Sequence, residues 1–69
     1  MKKKEMIKEL VRAWVVNYPV GSSERENAFV HHDSIESRIN RRWTKDGVRW
    51  FFERYENGED INYLMYKMY

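Results

Sequence analysis

Basic and aromatic side chains are interleaved in the middle of this 69-residue chain. Residues 38–54 hold six basic and two acidic side chains, and five of the six basic ones are arginine. A guanidinium group pairs with phosphate and stacks on aromatic planes, while a tryptophan ring offers a flat surface to a nucleobase. The residues with this potential are Arg38, Arg41, Arg42, Trp43, Lys45 and Arg49. The pattern predicts a nucleic-acid-binding face in which phosphate contacts position the partner and Trp43 stacks or wedges.

The same basic segment has two other interpretations. Residues 20–37 hold one basic and four acidic side chains, so the arginines could form a solvated face that pairs with this segment. They could also contact an acidic surface on a protein partner. The formal net charge of +2 is too small for binding driven by overall charge alone, so any affinity for nucleic acid would be local and salt-sensitive.

Residues 61–69 carry apolar or aromatic side chains around almost the whole circumference of a helix. At about 100° per residue, one side collects an aliphatic stripe and the other collects tyrosines. The stripe consists of Ile61, Leu64, Met65 and Met68, and the tyrosines are Tyr63, Tyr66 and Tyr69. Because a small core covers only one side, we expect Tyr63, Tyr66, Met68 and Tyr69 to form an interface with a partner. The alternative is a central helix that the other helices surround.

Two kinds of protein partner fit such an interface. A chain of 8.6 kDa without cysteine has marginal stability as a monomer, so we expect a homodimer. The second kind is a larger host enzyme that handles nucleic acid. The chain would then be an inhibitor or adaptor of the anti-defence type, docking through its tyrosine and methionine helix or its arginine face.

The side chains that could support metal binding or catalysis are few. His32 and Glu36 lie one helical turn apart beside His31 and Asp33, but zinc sites usually take three or four ligands and no further His or Cys exists. We expect neither a metal nor another cofactor. The chain has no nucleophile elbow and no glycine-rich phosphate loop. We therefore expect a non-enzymatic protein.

Apolar periodicity predicts an all-α fold, a compact bundle of about four short helices in a single domain over residues 1–69. Ser23 and Asp33 each precede a glutamate by three residues, which predicts capping boxes, while Thr44 and Asp60 are expected to cap later helices. The predicted helical segments cover 4–18, 24–31, 34–43, a stretch from Thr44 to Asn57 and a last run to residue 69. Two alternatives stay open: one continuous helix over 24–43, and a hairpin at Asn57-Gly58.

The environment of the protein follows from two features of its composition. The absence of cysteine suits a reducing compartment, and no apolar run approaches the ~20 residues that span a membrane. We therefore expect a cytoplasmic protein without a membrane partner.

Residues 42–65 carry a further pattern: Trp43-Thr44, then Phe51 or Phe52, Glu53, Tyr55, Gly58 and the pair Leu64-Met65. This pattern resembles the first two helices of Myb/SANT-like helix-turn-helix domains of phage and bacterial regulators. The resemblance implies a DNA-binding regulator of a phage or mobile element, in which a third helix enters the major groove. The sequence stops at Tyr69, before such a helix, so we expect the basic helix at 34–43 to take that role.

Overall fold

The computed structural model describes all 69 residues, which form five α-helices and no strand. The helices are α1 (Lys3–Asn17), α2 (Ser23–Val30), α3 (His32–Arg42), α4 (Lys45–Glu56) and α5 (Ile61–Met68). The all-helical prediction is confirmed, with five helices rather than about four. The continuous helix over 24–43 is wrong, since the chain changes direction at His31 between α2 and α3.

Gly58 lies in the turn that ends helix α4 and leads to α5. Gly58 has a φ of +96°, a backbone conformation that glycine adopts without strain. Its N–H donates to the Tyr55 carbonyl at 3.0 Å, and the Glu59 N–H donates to the Arg54 carbonyl at 3.1 Å. These two bonds form a Schellman motif. Asn57-Gly58 is thus a helix C-terminus, and the hairpin alternative is wrong.

Polar side chains cap three of the helices. The Ser22 hydroxyl accepts from the Arg25 N–H at 3.2 Å, and the Thr44 hydroxyl accepts from the Gly47 N–H at 3.2 Å. The Asp60 carboxylate accepts from the Asn62 N–H at 3.4 Å. The Thr44 and Asp60 caps are confirmed. The other two predicted caps are wrong, because Ser22 rather than Ser23 caps α2, and Asp33 lies inside the first turn of α3.

Helix α1 is the centre of the bundle, because each of the other four helices packs against it. All fifteen buried residues are apolar, and α1 contributes five of them: Met6, Ile7, Leu10, Val11 and Val15. Helix α5 contributes its whole aliphatic stripe, Ile61, Leu64, Met65 and Met68. The interpretation of α5 as the central helix is therefore wrong. The radius of gyration, 11.4 Å, is close to the ~11 Å of a compact chain of this length.

Helices α1 and α3 run antiparallel. The Lys3 ammonium group at the start of α1 donates to the Asn40 carbonyl near the end of α3 at 2.7 Å. Farther along α1, Arg12 lines the same groove as His32 at the start of α3.

None of the five helices combines the length and the apolar character that a membrane-spanning helix requires.

Replacing Leu10 with alanine should lower the free energy of unfolding by about 2–5 kcal/mol, because the side chain is fully buried in α1 and its removal leaves a cavity. Chemical denaturation followed by circular dichroism measures this change. Glu9→Ala is the matched control, since Glu9 is exposed on the same helix and should change stability by under about 0.5 kcal/mol. Equal effects of the two substitutions would contradict the central position of α1.

Candidate nucleic-acid interface

Two basic segments that are distant in sequence meet at one end of the bundle. The hydrogen bond from Lys3 to Asn40 places the start of α1 against the end of α3, and α4 begins three residues after α3 ends. The side chains brought to this end, here called the basic end, are Lys2, Lys3, Lys4, Arg41, Arg42, Lys45 and Arg49. Sequence analysis missed the three lysines, because no local pattern joins residues that are 37 positions apart.

Several side chains of the basic end remain free of ion pairs. Arg41 and Lys45 are exposed and take part in none of the salt bridges of the structure. Arg49 pairs with Asp46 at 3.3 Å on the surface, where such pairs contribute little. Lys3 is bound to the end of α3. Arg41 and Lys45 are therefore the cations of the predicted set that are both exposed and free of such contacts.

Three of the predicted binding residues instead hold the end of α5. The Arg38 Nε and the Arg42 Nη1 each donate to the main-chain oxygen of Tyr69 at 3.1 Å. The Trp43 indole N–H donates to the Met68 carbonyl at 2.7 Å. We call this set of contacts the α5 clamp. It stabilises α5, since its last carbonyls lack partners within the helix and favour positive charge.

The interpretation of the arginines as a solvated face that pairs with the acidic segment has two parts, and the structure agrees with the exposure of the side chains but not with the pairing. The basic residues of 38–54 were expected, as one possibility, to pair with the acidic segment 20–37. None of the salt bridges joins these two segments. The acidic groups are engaged locally instead: a hydrogen bond from the Ser23 hydroxyl lowers the pKa of Glu24, and the His32 Nδ1 lies 3.0 Å from the Glu36 carboxylate.

The position of Trp43 explains a glycine that is unfavourable for a helix. Trp43 is half-buried, and its ring packs edge-on against Phe51 with the ring centroids 5.0 Å apart. A Cβ at Gly47 would approach the Trp43 ring to 3.2 Å, so glycine lets the ring lie on the first turn of α4. The structure thus holds Trp43 by one hydrogen bond and two packing contacts.

The exposed tryptophan of this region is Trp50, which sequence analysis did not select. Val48, Phe51 and Phe52 point into the core, so the helical period of α4 turns Trp50 outward. It lies beside Tyr63 in a small cleft. The residues that line this aromatic cleft are Trp43, Trp50, Phe51, Arg54, Tyr63, Leu64 and Lys67.

Cations lie over both exposed rings of the aromatic cleft. The Arg54 guanidinium carbon is 4.5 Å from the centroid of Trp50, and the Lys67 ammonium is 5.6 Å from that of Tyr63. Arg54 Nη2 also donates to the Glu59 carboxylate at 2.7 Å, and this hydrogen bond raises the pKa of Arg54 above its ordinary value. Arg54 is therefore a fixed positive charge that holds the Trp50 ring in place.

The predicted partner interface on α5 divides into buried and exposed parts. Met68 is 0% exposed and belongs to the core, so its assignment to the interface is wrong. Tyr66 is 80% exposed, while Tyr63 and Tyr69 are about half exposed. Tyr66 and Tyr69 border an open groove between α5 and the helices α1, α2 and α3. Its apolar lining, here called the tyrosine groove, consists of Trp14, Tyr18, Ala28, Ile35, Met65, Tyr66 and Tyr69.

Three possible metal ligands come together at the start of α3. The His32 Nδ1 lies 3.3 Å from the Asp33 carboxylate as well as 3.0 Å from that of Glu36, and all three donor groups lie within 4.8 Å of one another. Sequence analysis considered these residues and expected no metal. The close approach of His32 and Glu36 is equally that of a hydrogen bond between neighbours on one helix face.

Comparison with protein-family models, curated proteins and solved structures gives no match for this chain. The resemblance of residues 42–65 to Myb/SANT-like domains therefore stays a prediction. In the structure these residues cover the last residue of α3, the whole of α4 and the first five residues of α5, with the Gly58 turn between α4 and α5.

Replacing Trp43 with phenylalanine should lower the free energy of unfolding by about 1 kcal/mol, because it removes the hydrogen bond to the Met68 carbonyl and keeps most of the ring packing. Thermal and chemical denaturation measure the change. Trp14→Phe is the control, since Trp14 is also half-buried and makes no side-chain hydrogen bond. A loss no greater than that of the control would show that the α5 clamp does not depend on the indole N–H.

Proposed function

We propose that this chain is a small non-enzymatic nucleic-acid-binding module of the regulator type, as encoded by phages and mobile elements. The observation that carries the proposal is the contact between Lys3 and Asn40, which joins two basic segments at one end of the bundle. A phosphate backbone presents negative charge along its whole length, so a cluster of cations is the feature that such a partner requires.

The helix termini add to the positive potential of the basic end. The N-termini of α1 and α4 both lie there, and the dipoles of these helices favour anions, an effect that Glu5 and Asp46 in the first turns partly offset. The C-terminus of α3 lies there too, but Lys3 donates to its Asn40 carbonyl and offsets its negative potential. Lys2, Lys4, Arg41 and Lys45 are left to contact phosphates, with Arg49 beside them.

The basic end also contains two acidic side chains, Glu5 in the first turn of α1 and Asp46 in the first turn of α4. The acidic residues of segment 20–37 lie away from Arg41 and Lys45: Glu24 and Glu26 are in α2, and Asp33 and Glu36 are in the first half of α3. Because this acidic segment and the basic end are separated, the module would bind a polyanion through its basic end. Because the contacts fall on phosphates, they would position the partner without reading its sequence.

The salt dependence of binding tests the basic end. If Lys2, Lys4, Arg41, Lys45 and Arg49 each contact a phosphate, the affinity for labelled DNA should fall by about a hundred- to five-hundredfold between roughly 50 and 200 mM salt. The double variant Arg41→Gln, Lys45→Gln should make the slope of log affinity against log salt shallower by about 1.4–1.8, since two phosphate contacts are lost.

The matched control for this experiment is the double variant Arg12→Gln, Arg25→Gln. It removes the same charge from a groove that Gly21, Ser22 and Phe29 also line, away from Lys3. It should leave the slope close to that of the wild type. Undetectable binding of the wild type at 50 mM salt, or equal effects of the two double variants, would rule out the basic end as the binding surface.

A second candidate function is protein binding through the tyrosine groove. Tyr66 is 80% exposed beside an apolar lining, and aromatic rings that surround a polar tip are typical of interfaces. The occupant would be a second copy of this chain in a homodimer, or a host enzyme that handles nucleic acid and is inhibited or recruited by the chain.

Native mass distinguishes the homodimer from the monomer. We expect wild-type protein to have twice the 8.6 kDa mass of the chain and Tyr66→Ala to shift it toward the monomer, because the ring would lose its contact area. Analytical ultracentrifugation over a range of concentrations makes the measurement. Phe29→Ala, at a ring that is 66% exposed on α2, is the control. A wild-type monomer at all concentrations would exclude the homodimer.

A further inference from the structure

We propose that the aromatic cleft between α4 and α5 binds an unpaired base, so that the partner of this module is single-stranded nucleic acid. This inference rests on the proposed nucleic-acid binding and specifies its substrate class. It depends on three features of the cleft: an open aromatic face, cations beside it and continuity with the basic end.

The open face belongs to Trp50. Arg54 lies over one face of the ring, and Phe51 packs edge-on with the ring centroids 4.9 Å apart. The residue is nevertheless 52% exposed, so part of the ring remains open to solvent. A base stacked on the open part of the ring would add to the contact that the guanidinium and the indole already make. Arg54 is held by Glu59, so the ring is preorganised before a base binds.

The cations beside the cleft belong to both of the helices that form it. Lys67 of α5 lies over the Tyr63 ring on one side, and Arg49 precedes Trp50 in α4. Both side chains are exposed and long enough to reach phosphates that flank a stacked base. Exposed aromatic rings combined with such cations are the features by which proteins bind single strands without reading their sequence.

The cleft is continuous with the basic end through Trp43. The Trp43 ring forms part of the cleft lining, and the Arg42 guanidinium carbon lies 5.9 Å from its centroid. A strand that contacts Arg41 and Lys45 through its phosphates could therefore place a base against Trp50. Trp43 contributes the wall of this path, while its N–H stays bound to Met68.

The dimensions of the cleft limit what can enter it. Its volume is 190 Å³, below the ~300–1,000 Å³ of pockets that enclose whole drug-sized ligands. A single planar ring fits this scale. In a duplex each base is stacked and paired inside the helix, and extracting it costs free energy, so the cleft favours a strand whose bases are already unpaired.

The test compares labelled single-stranded and duplex DNA of equal length by fluorescence anisotropy at about 50 mM salt. We expect wild-type protein to bind the single strand more tightly. Trp50→Ala should weaken single-strand binding by about five- to a hundredfold and leave duplex binding unchanged, which is the effect of losing one stacked base. Trp50→Phe, which keeps a smaller aromatic ring, should lose less.

The control is Phe29→Ala, which removes an exposed ring on a different helix and should leave both affinities unchanged. Circular dichroism of each variant checks that the helices are intact, and Trp50→Phe keeps the test valid if Trp50→Ala does not fold. Equal losses on the single strand and the duplex, or no loss on either, would overturn the cleft while leaving the basic end as a binding surface. Failure of the wild type to bind either DNA would overturn both proposals together.

Discussion

The burial of the apolar side of α1 is the constraint on which the rest of the structure depends. The chain has no cysteine, and its fifteen buried residues are all apolar, so packing is what stabilises the fold. The other four helices have only 8 to 12 residues, and helices of this length are marginally stable in isolation. Each of them packs against α1, so the fold depends on these contacts. The antiparallel pairing of α1 with α3 then brings Lys3 to Asn40, and this single consequence of packing creates the basic end.

The α5 clamp divides the basic residues into structural and accessible groups. Arg38 and Arg42 contact the main-chain oxygen of Tyr69, and Arg38 also lies 4.3 Å from the centroid of the Tyr69 ring. These contacts hold a helix of eight residues that would be unstable alone. Arg41, which takes no part in the clamp, and Lys45 remain exposed. The nucleic-acid proposal therefore depends on fewer residues of α3 than the sequence pattern indicates, and on more residues of α1.

The helices were predictable from the sequence, while the site was only partly so. Apolar spacing and the caps Thr44 and Asp60 are local signals, and they located α4 and α5. The orientation of Trp43 was not predictable, because it lies between two helices where no periodicity applies. Trp50 was predictable as an exposed ring, since it lies off the apolar stripe of α4. The contact of Lys3 with Asn40 depends on tertiary packing alone.

The structure also explains why α5 is apolar or aromatic nearly all round. Its aliphatic stripe faces the core, as Met68 shows at 0% exposure, and the tyrosines on either side of that stripe face two different surfaces. Tyr63 borders the aromatic cleft toward α4, whereas Tyr66 and Tyr69 border the tyrosine groove toward α2 and α3. The apolar and aromatic side chains of α5 therefore lie in three separate environments: the core, the aromatic cleft and the tyrosine groove. Because the cleft and the groove lie on opposite sides of α5, base stacking at one does not occupy the surface that self-association would use at the other.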